Sequence, residues 1–215
     1  MHKEYLMGIR KFWPVVRRVW IAVGLTVTAV FVGWSLIAYR ADIDAIAAAN
    51  TDSNVSITFT EGIWQYHSMI DSKSSTLLFF PGGLVDPIAY APLARYIAEE
   101  GYNVLLVELP YRGVFGGSDS QELRTRIAAA LALIPESNSV VVGGHSKGAV
   151  VASRLSATVP SLAGLVLIGT SHPRDLDLSR LEMPVTKIVG THDGIATPEK
   201  VQKNAILLPN QTRWV

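Results

Sequence analysis

Read from its amino end, the chain opens with an unbroken apolar run: Val19 to Tyr39 contains no charged residue. At about 1.5 Å per residue, a helix of that length spans a hydrocarbon core of roughly 30 Å. A polar linker over 40–54 follows, ending in Asn50-Thr51-Asp52-Ser53-Asn54. The pattern then becomes that of short strands. Val55-Ser56-Ile57-Thr58-Phe59 alternates apolar and polar, and Ile63-Trp64-Gln65-Tyr66 reads as its hairpin partner across Glu61-Gly62. Five continuous apolar runs, 77–80, 104–109, 140–142, 165–168 and 185–189, have the character of strands buried on both faces. Between them, 89–100, 121–134, 149–159 and 197–207 show helical spacing. Buried strand alternating with amphipathic helix predicts an α/β class domain over 55–215, with a mostly parallel twisted sheet and helices on both faces.

Charge gives the apolar run an orientation. Arg10, Lys11, Arg17 and Arg18 precede it, whereas Arg40, Asp42 and Asp44 follow. Trp13, Trp20, Trp34 and Tyr39 cluster towards its ends, where interfacial aromatics sit. The expectation is a single-pass membrane protein. Residues 1–18 form a basic cytoplasmic tail, 19–39 the transmembrane anchor, and the rest of the chain lies outside the cytoplasm. A cleaved signal peptide competes, although the apolar stretch is long for one and Ala38-Tyr39-Arg40-Ala41 is a poor cleavage site. A buried soluble helix is the third reading; such helices rarely run so long without a polar face.

Net charge is +1, with basic residues scattered after residue 40, which gives no case for nucleic-acid binding. The chain has no cysteine, and this excludes a disulfide scaffold, a thiolate nucleophile and any Cys-ligated metal.

The chemistry centres on Gly144-His145-Ser146-Lys147-Gly148, placed where a predicted strand gives way to a predicted helix. A sharp strand-to-helix turn at small-x-Ser-x-small holds the serine in a strained conformation with its hydroxyl above the sheet edge. Ser146 is therefore the candidate nucleophile. A serine hydroxyl is weakly nucleophilic by itself. It needs an adjacent base, and donors for the charge that develops on the substrate carbonyl oxygen.

The order of elements resembles the α/β-hydrolase fold over about residues 55–215, nearest to the small bacterial dienelactone-hydrolase-like branch. The likeness is carried by Phe80-Pro81-Gly82-Gly83-Leu84-Val85-Asp86-Pro87 with Tyr90-Ala91-Pro92-Leu93-Ala94, by Gly143 to Ala149, and by Gly190-Thr191-His192-Asp193-Gly194 with Ala196-Thr197-Pro198-Glu199-Lys200. The resemblance implies a three-layer hydrolase that cleaves a small-molecule ester through an acyl-enzyme, a mechanism that needs no metal or organic cofactor. It differs from a strict dienelactone hydrolase, whose nucleophile is cysteine. It also implies oxyanion donors at the backbone N–H of Lys147 and of Gly83 or Leu84, while a plain tight turn is the lesser reading of Gly82-Gly83. The Lys147 ammonium departs from the apolar residue usual there, and would favour anionic substrates or reach to water.

The implied triad acid is Asp193, in the loop after the predicted strand 185–189. The plainer alternative is a turn at Asp193-Gly194 followed by a helix with Thr197 as N-cap and Pro198 at its first position. A histidine should follow the acid, yet none follows Asp193. His172 and His192 are weak substitutes, and His145 is expected to pack under the turn. On this reading the chain stops before its general base. The alternative is a non-catalytic hydrolase-like module that binds a ligand.

Overall fold

The computed structural model describes residues 2–70 and 72–215; Met1, Asp71 and the side chains of the basic tail through Lys11 lie outside the described residues. It divides into two units, Met1–Arg40 and Ala41–Val215.

The first unit is one helix, α1 (His2–Ala38), with Pro14 inside it. Its segment Phe12–Ser35, 24 residues of mean hydropathy 1.8, is long and apolar enough to cross a membrane by length and composition. The hydroxyls in this segment are satisfied locally. Thr26 donates to the Ala22 carbonyl, Thr28 to Gly24 and Ser35 to Val32, each at 2.9 Å. Such back-bonding hides polar groups that hydrocarbon could not solvate.

The second unit is a three-layer α/β structure. Its strands are β1 (Val55–Thr60), β2 (Ile63–Ser68), β3 (Ser75–Phe80), β4 (Asn103–Val107), β5 (Ser139–His145), β6 (Gly164–Ile168), β7 (Val185–Ile188) and β8 (Arg213–Trp214). They form one sheet in the order β1-β2-β4-β3-β5-β6-β7-β8. The β1–β2 and β2–β4 pairs are antiparallel, and every later pair is parallel. The helices are α2 (Ile43–Ala48), α3 (Ala91–Glu99), α4 (Gln121–Ala132), α5 (Lys147–Thr158) and α6 (Pro198–Lys203).

The period-two alternation of strand side chains divides the core in two. Leu78, Phe80, Leu105, Val107 and Val142 pack with α4 and α5 through Leu123, Ala130, Ala149 and Ala152. Phe79, Val104 and Leu106, one residue out of step, pack with α3 through Ala91, Ala94 and Ala98 on the other face. The continuous apolar runs of β3 and β4 are needed because both faces are covered.

Residues 41–54 are not an open linker. Asp42 caps α2 by accepting the Ala45 N–H at 2.8 Å, and Ala45 is buried. Arg95 of α3 clamps the segment, donating to the carbonyls of Ala48 and Asn50 and pairing with Asp52 at 2.7 Å. The expected helix over 89–100 begins as a 3₁₀ turn, Pro87–Tyr90, before α3. The expected helix over 197–207 likewise breaks into α6 and a 3₁₀ turn, Ala205–Leu207.

Candidate active site

The carboxyl ends of the parallel strands converge on Ser146. β5 runs through His145, α5 starts at Lys147, and Ser146 lies between them with φ 49° and ψ −110°. A non-glycine residue held there stores roughly 1–3 kcal/mol, supplied by its surroundings. Two contacts enforce the turn. The Ser146 N–H donates to the Ile168 carbonyl of β6 at 2.9 Å. The flanking glycines admit backbone where a side chain would sit: a Cβ on Gly148 would lie 2.0 Å from the Phe80 carbonyl oxygen, and one on Gly144 2.4 Å from the Gly148 carbonyl carbon. The motif spacing is thus a packing requirement between β3, β5 and α5.

The turn after β3 faces the same place. A Cβ on Gly83 would stand 3.3 Å from Lys147 Cβ, so the two backbones are neighbours. Of the two N–H groups expected there as oxyanion donors, that of Leu84 is occupied: it donates to the Arg112 carbonyl at 2.8 Å. A loop contact invisible to motif spacing removes Leu84 from the candidates. Gly83 and Lys147 keep theirs.

Asp193 lies in the loop after β7. Its Oδ1 accepts the N–H groups of Ile195 and Ala196 at 2.8 and 2.9 Å. These bonds hold its carboxyl below the usual carboxylate range, with smaller help from the His145 and Lys200 charges. Oδ2 points towards Gly169, at 3.9 Å from where a Cβ on that residue would be.

Neither substitute histidine is placed as a base. His172 lines the Ser146 cleft, but its Nε2 accepts from Arg174 Nε at 3.2 Å and lies 3.0 Å from Arg174 Nη2. Its pKa is pushed down to about 4, first by burial, then by Arg174, with Lys187 and Arg154 adding to this and Asp175 opposing it. It is a neutral ring whose lone pair is already taken. His192 is exposed, with Nδ1 3.2 Å from the Thr191 hydroxyl rather than against Asp193.

His145 and Tyr90 form a connection that spacing did not reveal. The Tyr90 hydroxyl accepts the Gly82 N–H at 2.9 Å and lies 2.7 Å from His145 Nδ1. The other side of the His145 ring faces Gly169, where Nε2 would lie 2.9 Å from an added Cβ, and the Asp193 charge acts on it. Burial nevertheless dominates and lowers the His145 pKa. The phenol and imidazole thus connect the turn after β3 with the Ser146 turn and reach towards the Asp193 loop. Only an aromatic residue spaced to reach back over the sheet could have hinted at it.

Ser146 opens into a cleft of about 480 Å³ lined by Lys147, Val150, Arg154, His172, Arg174 and Lys200 among others. Another depression of about 560 Å³, between Gly62 and α4, contains Glu61, Glu108, Glu122 and Arg126 but neither Ser146 nor Asp193. Among the described residues, no group of three or more His, Cys, Asp or Glu is arranged to hold a metal ion.

The profile of the Alpha/beta hydrolase family matches residues 76–215. No curated protein sequence matches the chain significantly. Solved structures do. A Klebsiella pneumoniae protein designated a dienelactone hydrolase shares 16% identity at TM-score 0.53, covering 71% of this chain and 78% of its own. An esterase of Pyrococcus furiosus shares 16% at TM-score 0.55, covering 77% and 79%. A thioesterase domain from the curacin biosynthetic pathway shares 15% at TM-score 0.59, covering 77% and 92%. At these identities the likeness is one of fold.

Proposed function

Because the chain belongs to the alpha/beta hydrolase family, we propose that it is a membrane-anchored serine hydrolase cleaving an ester or related acyl bond through an acyl-enzyme on Ser146. The observation that carries this is the strained backbone of Ser146 at the end of β5, beside the turn that brings Gly83 against Lys147. In the first half-reaction Ser146 Oγ attacks the acyl carbon and its proton passes to a base. The carbonyl oxygen gains charge and is held by the Gly83 and Lys147 N–H groups. The bond to the leaving oxygen then breaks, and that oxygen takes the proton. Water repeats the sequence on the acyl-enzyme, releasing the acid and restoring Ser146.

Asp193 is the orienting acid in this reading. The loop N–H groups engage Oδ1 and leave Oδ2 for an imidazole. Among the described residues neither His172 nor His192 is placed to pass a proton between Ser146 and Oδ2, so catalysis by these residues rests on oxyanion stabilisation and binding, which sustain only a residual rate. The placement of those two histidines favours the second reading, a hydrolase-like module that binds a ligand without turning it over.

Residues 19–39 supply the anchor. The basic flank at Arg17 and Arg18 supports a cytoplasmic amino terminus and a hydrolase domain on the other side.

A fluorophosphonate probe separates the readings, because it reacts with an activated serine. Labelling at Ser146, lost in Ser146→Ala together with ester hydrolysis, is the result expected of the enzyme. Equal labelling of the alanine variant would remove Ser146 from the chemistry. No labelling at all would leave the binding module.

A further inference from the structure

The Ser146 cleft is unevenly charged. Lys147, Arg154, Arg174 and Lys200 line it against a single carboxylate, Asp175. The whole chain carries only +1, so this is a local concentration of charge and not the mark of a basic protein. The partners of these cations sharpen the point. Arg154 is ion-paired with Asp119. The others have no carboxylate bound to them. Arg174 spends its guanidinium donors on the neutral His172 ring, and Lys200 Nζ donates to the Ile195 carbonyl at 3.1 Å. The Lys147 stem packs across Gly83 and Gly113, and its ammonium has no partner among the described residues.

The apolar wall is correspondingly thin. Val150, Ile195 and Ala196 are its aliphatic side chains beyond the lysine and arginine stems. A long acyl chain would bury little area against them and gain little from doing so. A cleft lined by one sign of charge beside a reactive hydroxyl instead draws in and orients an anion.

Resting on the hydrolase reading above, we propose that the site takes an ester bearing a separate anionic group, a carboxylate or a phosphate, which Arg174, Lys200 and Lys147 hold while the acyl carbon lies at Ser146. Arg174 is the specificity-determining member. Its planar fork can exchange the His172 nitrogen for two oxygens of the anion. The lysines contribute charge without fixed geometry, and the anionic group takes no part in bond making.

The test measures equilibrium binding of monoethyl succinate, phenyl phosphate and neutral diethyl succinate to the full chain in non-ionic micelles, by calorimetry at low salt. An anionic compound should bind at least about fivefold tighter than diethyl succinate, and the preference should fade in roughly 1 M salt. It should be lost in the Arg174→Gln/Lys200→Gln double variant and clearly weakened in Arg174→Lys, which keeps the charge but not the planar fork. Tighter monoethyl succinate assigns the carboxylate; tighter phenyl phosphate assigns the phosphate. Equal affinities, no measurable binding by any of the three, or a preference that survives in the double variant would overturn the proposal. Ser146→Ala should retain the preference, because it removes the nucleophile and none of the cations. Failure of fluorophosphonate labelling would therefore count against the hydrolase reading alone.

Discussion

Tyr90 shows how much one side chain can organise. Its hydroxyl is the only group of the ring that serves the site, matching the Gly82 N–H at one side and His145 Nδ1 at the other. Burial raises its pKa, so the phenol stays protonated and keeps a proton to donate to the ring nitrogen. Tyr90→Phe keeps the packing of the ring against Phe79 and strands both partners. The cost should be about 1–3 kcal/mol, that of leaving part-buried polar groups unpaired. Denaturant unfolding of the two proteins side by side would measure it. Because the turn proposed to hold the oxyanion is bonded to the same hydroxyl, the fluorophosphonate labelling rate should also fall. Unchanged stability together with an unchanged labelling rate would show that the network is ornamental. Nothing in the spacing of the motifs foretold this network, since residues 82, 90 and 145 meet only through the sheet. Ser146 was legible because the turn that strains it needs small residues at both flanks, and those are written into 144 and 148. The occupied Leu84 N–H was not legible, because its acceptor belongs to a loop whose path no periodicity encodes.

At the scale of elements, the strands were readable to within a residue or three of their ends, because both-face burial demands largely apolar runs, although β7 carries Thr186 and the buried Lys187. The helices were less exact. Pro198 opened its helix at the expected place, but tight 3₁₀ turns at Pro87–Tyr90 and Ala205–Leu207 broke the periodic stretches. The short helix α2 was missed, since six residues capped by Asp42 and held by Arg95 take their stability from a partner remote in sequence. Helix α1 carries its own expectation. With an apolar segment of 24 residues and its hydroxyls bonded internally, the protein should stay in the membrane fraction through high-salt and carbonate washing. Protease added to spheroplasts should digest the hydrolase domain. A soluble product beginning near Ala41 would point to signal cleavage, and protection from protease would reverse the orientation.

For the molecule as a whole, the buried ionisable groups pull in one direction over most of the pH scale. Lys187 is 1% exposed, donates to the His172 carbonyl, and has its pKa pushed down to about 8 by burial. His172 is pushed down to about 4 and His145 is lowered as well. For each, the unfolded chain binds protons more readily than the folded one. The stability they contribute is full above the unfolded pKa and is lost as pH falls through the folded value. Stability should therefore rise from about pH 4 to 6.5 on the histidines and again from about pH 8 towards 10.5 on Lys187. Tyr66, raised to about 12 by burial, reverses the trend above about pH 10, where only the unfolded phenol ionises. Thermal unfolding followed by near-ultraviolet dichroism should place the maximum at about pH 10. Lys187→Met should flatten the rise above pH 8, and an unaltered profile would mean that Lys187 is not buried as described. The parallel half of the sheet has a consequence for the order of events in synthesis. The cleft draws on the ends of β3, β5, β6 and β7, segments separated along the chain and joined only by long crossovers. A ribosome releasing this chain therefore completes the proposed site late, because Gly83 and Ser146 emerge before the strand that carries Asp193. The proposed chemistry would become available only once these distant strands have paired, a step that long-range parallel pairing makes slow.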